Sequence, residues 1–162
     1  MIRLGKLTDY GLVLMTCMAR HPDRTLYTAR DLAVESQLPL PTVSKLLKQL
    51  LQAKLLVSHR GIKGGYSLAR PPQEMSVADI IGALEGPIAL TECSTDVTGL
   101  CDFEPRCPIR TNQQIISKVV SGALEKLTLF DLVRPLQLAA FGTVKDGNNQ
   151  LITIGPLSGR TQ

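Results

Sequence analysis

Three cysteines, Cys93, Cys101 and Cys107, stand in a Cys-x7-Cys-x5-Cys spacing beside Gly99, Pro105 and Pro108. Thiolates are soft ligands suited to iron–sulfur clusters or zinc, so three of them on one loop make a candidate metal site. Structural zinc takes four ligands and favours Cys-x2-Cys pairs; neither is present, and an iron–sulfur cluster therefore ranks ahead of zinc. Redox-active or idle thiols are the plainer alternative. The fourth cysteine, Cys17, falls in a helical pattern beside Leu14 and Met18 and reads as a small buried hydrophobe.

A second chemical resource is positive charge. Residues 1–70 hold 11 Lys and Arg against 4 Asp and Glu, a net +7, whereas residues 71–162 carry −3. No Lys or Arg falls between Arg70 and Arg106, while Glu74, Asp79, Glu85, Glu92, Asp96, Asp102 and Glu104 supply seven acids. Such a division points to a polyanion partner for the first part and a different task for the second. The two histidines, His21 and His59, read as surface residues. With no Ser-His-Asp, phosphate-loop or paired-carboxylate signature, an enzyme is not expected.

These residues need elements to hold them. Leu7, Tyr10, Gly11, Leu14, Met15 and Met18 share one face of a helix over residues 7–20, stopped by His21 and Pro22. Thr28 with Asp31 three residues on caps a second helix over 29–36. A turn at 37–40 follows, and Pro41 suits the first position of a third helix. In that helix Val43, Leu46, Leu47, Leu50 and Leu51 recur at i, i+3, i+4, i+7 and i+8, leaving Thr42, Lys45, Lys48, Gln49 and Gln52 outward. Residues 55–68 read as a hairpin with a Gly-rich tip. Ser76 and Asp79 cap a short helix through Leu84, and a long irregular segment over 86–107 carries the three cysteines. Pro108 starts a further helix, whose stripe of Ile116, Val119, Val120, Ala123, Leu124 and Leu127 packs within the chain or pairs two chains. Thr128 caps one more turn, and a weakly ordered tail is expected from Ala139 onward.

This order is that of a winged helix-turn-helix, a mainly α fold with a small β-hairpin wing. Thr42, Ser44 and Lys45 are placed to read base edges of double-stranded DNA, and Lys48 and Gln52 to meet phosphates. Arg60, Lys63 and the backbone around Gly64 and Gly65 are placed on the wing to reach the minor groove or the sugar-phosphate chain. The expected organisation is a DNA-binding unit over 1–72, a short helix and cysteine loop over 73–107, a dimerisation helix over 108–135 and a flexible tail over 136–162.

Several of these motifs together resemble the IscR/NsrR group of iron–sulfur transcriptional regulators, most closely members that control SUF cluster-assembly operons. They are the opening LTDYG over residues 7–11, the turn and helix over 39–50, the wing RGIKGGYSLAR over 60–70 and the triple-cysteine loop. The resemblance covers roughly residues 1–135. It implies a homodimeric repressor of iron–sulfur assembly genes, with a cluster on Cys93, Cys101 and Cys107 that tunes DNA affinity; [2Fe–2S] is favoured and [4Fe–4S] is the alternative. This sequence departs from the group in its longer first cysteine gap and in Arg110, which stands where histidine is common. Asp9 of a partner subunit matches the ligand position of some relatives, and Glu104 is a local substitute. Rival expectations are a nitric-oxide or redox-responsive regulator of the same family, a winged-helix protein with structural zinc, and, from another class, a small redox or cluster-transfer protein.

The composition of the 162 residues, 44% hydrophobic and 20% charged, is that of an ordinary globular chain. No apolar run is long enough to span a bilayer and no secretory h-region opens the sequence, so a cytoplasmic protein with no membrane partner is expected.

Overall fold

The computed structural model describes residues 3–95, 97, 99–136, 144–145 and 151–152. Within these, α1 (Lys6–Ala19), α2 (Ala29–Ser36) and α3 (Leu40–Gln52) precede a hairpin of β1 (Leu56–His59) and β2 (Gly65–Leu68). Then come α4 (Val77–Glu85), α5 (Arg110–Lys126) and α6 (Leu129–Leu132). The mainly helical architecture with one small wing is the one anticipated.

Three helices begin where a Ser or Thr stands three residues before an Asp. At Thr28, Ser76 and Thr128 the hydroxyl accepts from the backbone N–H of the Asp, and the Asp carboxylate accepts from the N–H of the capping residue. Two of the four orphan donors of each first turn are thereby satisfied. The Asp31 and Asp131 carboxyls are held below their ordinary range chiefly by these backbone donors, the N–H groups of Thr28 and Thr128.

The apolar face of α3 builds the core. Val43, Leu46 and Leu50 are fully buried, together with Leu14 and Met15 of α1, Leu32 of α2 and Ile80 of α4. Each such side chain contributes about 1.5–3 kcal/mol when withdrawn from water. Tyr27 makes a single antiparallel bridge to the wing: its N–H donates to the Tyr66 carbonyl at 2.9 Å, and the Tyr66 N–H donates back at 2.7 Å. The hairpin is thus fastened to the helices at its base, with Leu56 facing Leu68 and His59 facing Gly65 along its length. A second clamp closes the C-terminal side, where the Val77 N–H donates to Leu127 at 2.7 Å and the Leu129 N–H to Met75 at 2.8 Å. Leu129, at the start of α6, then fills the same core.

Several details differ from the sequence reading. α3 opens at Leu40 with Pro39 as cap, so Pro41 takes the second position, where its missing N–H is equally harmless. α5 opens at Arg110 rather than Pro108, because the Cys107 carbonyl is taken up in a turn by the Arg110 N–H at 3.4 Å. The cysteine segment contains two single 3-10 turns, Glu92–Ser94 and Glu104–Arg106, where an irregular stretch was expected. In the tail, β3 (Val144–Lys145) pairs antiparallel with β4 (Leu151–Ile152); the expectation of weak order otherwise falls outside the described residues.

Candidate functional site

From Ser36 to Gln73 the sequence contains no acidic residue and six Lys and Arg, and this stretch is α3 together with the wing. Because the apolar side of α3 is consumed by the core, its remaining side is forced outward. Ser44, Lys45, Lys48 and Gln52 are exposed there, and Thr42 is half-buried near the helix N-terminus. Arg60 and Lys63 are exposed at the end of the hairpin. The anticipated cationic residues therefore share one acid-free run of chain mounted on two elements, an arrangement suited to a phosphate backbone.

The wing glycines do structural work. Gly64 donates its N–H to the Gly61 carbonyl at 2.9 Å, closing the tip, so this amide is not presented to a partner. A Cβ on Gly65 would stand 2.7 Å from the Tyr27 carbonyl oxygen. Glycine there permits the bridge that anchors the hairpin. The sequence places the backbone around Gly64 and Gly65 against DNA, and to that expectation the geometry adds the shaping of the wing.

The thiol loop is fastened to α5 at its beginning. Cys93 is buried, its carbonyl accepts from Gln114 Nε2 at 3.0 Å, and the Leu90 N–H donates to Ser117 Oγ at 3.2 Å. The Thr91 hydroxyl lies 3.4 Å from Cys93 Sγ. Further along, Cys101 and Cys107 are half-buried on either side of the Glu104–Arg106 turn. The Glu104 carboxylate pairs with Arg110 at 2.5 Å and accepts from the Gly99 N–H at 3.4 Å. Glu104, the expected local substitute for a fourth ligand, is thus turned toward Arg110. Gln114 and Ser117 lie outside the residues that the sequence marks; their one signal is two polar residues three apart on one face of α5.

All four cysteines are free thiols. Among the described residues, no three His, Cys, Asp or Glu side chains are grouped to hold one metal ion. The donor set therefore suits an iron–sulfur group in kind, while Cys93, Cys101 and Cys107 share a segment without meeting at a point. Asp9 is exposed on the first turn of α1 and forms no such group with the cysteines of its own chain. Cys17 is buried in the α1 core face, and burial pushes its thiol up, as befits an inert packing residue.

Among the described residues the α5 stripe is covered only in part: Val120, Leu124 and Leu127 are half-buried, while Ile116, Val119 and Ala123 stay exposed. Of that helix only Ser117 is buried, and Ile115, Ile116 and Val119 are between 42% and 49% exposed. Within the described residues, no helix is long and apolar enough to cross a membrane.

Comparison with known proteins agrees with this geometry. Residues 4–135 match the Rrf2 family, described as iron-dependent transcriptional regulators. The chain is 29% identical over 136 residues to the HTH-type transcriptional regulator NsrR of Oceanobacillus iheyensis, covering 82% of this chain and 90% of that one. Among solved structures it is similar to CymR, the global cysteine regulator of B. subtilis, with 28% identity, TM-score 0.65 and coverage of 82% of this chain and 97% of that one. It is also similar to IscR of T. potens, with 26% identity, TM-score 0.63 and coverage of 86% and 96% respectively. These relatives are regulators, which sets aside the redox or cluster-transfer protein and any enzymatic role. The chain belongs to the Rrf2 family of winged-helix transcriptional regulators, and is a DNA-binding regulator.

Proposed function

We propose that this protein is a homodimeric repressor of iron–sulfur assembly genes of the SUF type, working on double-stranded DNA in the cytoplasm. In this reading Cys93, Cys101 and Cys107 hold an iron–sulfur cluster, [2Fe–2S] in preference to [4Fe–4S], with Asp9 of the partner subunit as the fourth donor. The observation that carries it is the placement of three free thiols between the acid-free DNA-reading elements and the partly exposed stripe of α5. That stripe is the face on which two chains would pair.

The chain's own residues supply a route from thiols to DNA. Cys93 is fixed to α5 by Gln114, and α5 returns to the DNA-reading unit through the clamp at residues 75–77 and 127–129. Gathering Cys101 and Cys107 toward Cys93 costs little fastening: a few backbone hydrogen bonds and the Glu104–Arg110 ion pair. A shift in this segment moves α5, and with it the spacing of two recognition helices on a pseudo-palindromic site. A coupling of about 1–3 kcal/mol would change DNA affinity roughly 5- to 150-fold.

Within this reading Thr42, Ser44 and Lys45 read bases, Lys48 and Gln52 meet phosphates, and Arg60 and Lys63 hold the wing on the duplex. Anaerobic purification followed by a visible spectrum tests the cluster: a coloured, iron-containing protein is expected, and an iron-free protein that resists reconstitution overturns it. Lys63→Ala should weaken binding and lower the salt slope by about one; an unchanged slope removes Lys63 from the interface. A second reading, in which the thiols themselves are oxidised, is favoured by their standing apart among the described residues. It predicts that iron-free protein releases DNA on treatment with peroxide, or with nitric oxide when oxygen is present as the electron acceptor.

A further inference from the structure

The wing tip carries an isoleucine that touches nothing. Ile62 is 107% exposed, the most open large hydrophobic side chain among the described residues. It is held there by construction. The hydrogen bond from Gly64 N–H to Gly61 carbonyl, 2.9 Å long, closes a four-residue turn with Ile62 and Lys63 at its two central positions. Gly61 enters the turn at φ 114°, a conformation that side chains rarely adopt, with open space around it. Glycine takes this conformation without strain, and its presence at 61 lets the tip present Ile62 and Lys63 outward, flanked by Arg60. A solubility role would be served better by any polar residue at 62.

We propose that Ile62 is a specificity-determining residue: an apolar probe that the wing lowers into the minor groove between the phosphate-holding Arg60 and Lys63. This deepens the DNA-binding reading and rests on it. An aliphatic side chain offers no hydrogen bond, so it reads shape. In the minor groove the one projecting group that separates G·C from A·T is the exocyclic 2-amino group of guanine. Ile62 fits against A·T pairs, meets that amino group at G·C pairs, and favours flexible pyrimidine–purine steps where partial insertion is cheap.

The test starts by selecting a preferred duplex from a random-core library with the full-length wild-type protein, under the condition in which it binds. Pairs at the wing-contacted positions are then replaced by G·C, or by inosine·C, which keeps the major-groove face of G·C but lacks the 2-amino group. Wild type should lose about tenfold in affinity with G·C, ~1.4 kcal/mol, and recover it with inosine·C. Ile62→Ala should bind the selected duplex about tenfold more weakly and treat the three pairs alike, with an unchanged salt slope because no charge is removed. Its melting temperature should match wild type, since the side chain makes no contact in the protein, which separates this outcome from misfolding. Equal discrimination by Ile62→Ala and wild type, or none by either, overturns the inference while leaving DNA binding intact. A wild-type protein that selects no duplex sequence removes both the inference and the reading beneath it.

Discussion

Replacing Gly65 with alanine separates two roles for the wing glycines. The new Cβ would lie 2.7 Å from the Tyr27 carbonyl oxygen and 3.1 Å from its carbon. Both are backbone atoms, so relief requires the Tyr27 segment to retreat from Tyr66. That retreat stretches the reciprocal hydrogen bonds of 2.9 and 2.7 Å. At ~0.5–1.5 kcal/mol net for each bond, the loss is about 1–3 kcal/mol. Tyr27 is only 1% exposed, so its displacement also disturbs the core. Alanine returns about 0.4–1 kcal/mol by restricting the unfolded chain, which leaves a net destabilisation of roughly 1–2 kcal/mol. For a chain of this size that corresponds to a fall in Tm of about 2–8 °C, read by calorimetry at fixed protein concentration. Gly82→Ala is the matched control: it sits inside α4 with no atom within 4 Å of a new Cβ, and should gain about 0.5–1 kcal/mol. The salt slope of DNA binding should survive Gly65→Ala even as affinity falls, because every cation remains. A Gly65→Ala protein that melts like wild type yet fails to bind DNA would refute the bridge argument and return Gly65 to the nucleic-acid contact.

Leu129→Ala should cost about 2–5 kcal/mol in urea denaturation, since Leu129 is fully buried at the C-terminal clamp; a surface-like effect below about 0.5 kcal/mol would detach α6 from the core. The Asp31 and Asp131 carboxyls are held low, so their contribution is present above their unfolded value of about 4 and is lost as pH falls through that value toward the lower folded one. The double variant Asp31→Asn, Asp131→Asn should therefore show a shallower loss of stability on acidification from pH 6 to 3; an unchanged slope contradicts the capping assignment. Gln114→Ala should raise amide hydrogen exchange over residues 90–95 with a global cost of about 1 kcal/mol or less, because it frees only the Cys93 carbonyl; unaltered exchange would mean the loop is held by something else. On labelling with a thiol reagent, Cys101 and Cys107 should react before Cys17, whose thiol is buried and pushed up; early labelling of Cys17 would contradict its place in the core.

Much of this protein was legible in one dimension because the signals were local. The Thr/Ser-x-x-Asp boxes at 28, 76 and 128 each need only a hydroxyl and a carboxylate three residues apart, and each formed as read. The 3.6-residue period of α3 named its buried face and, by subtraction, its outward cations. The order of helix, turn, helix and glycine-tipped hairpin then sufficed for the winged-helix fold. What the sequence could not supply was anything requiring two distant segments to meet. Tyr27 reaching Tyr66 makes Gly65 a point of close approach, and Gln114 holding Cys93 across 21 residues is a contact that no period announces. Arg110 could be named from its position; that it clasps Glu104 is a tertiary fact. The α5 stripe shows the division most sharply. Its periodicity suited packing within one chain and pairing of two equally, since a helix's own pattern records only that one side avoids water. Among the described residues the tertiary arrangement half-buries Val120, Leu124 and Leu127 and leaves Ile116 and Val119 exposed, because the other helices cover only part of that side.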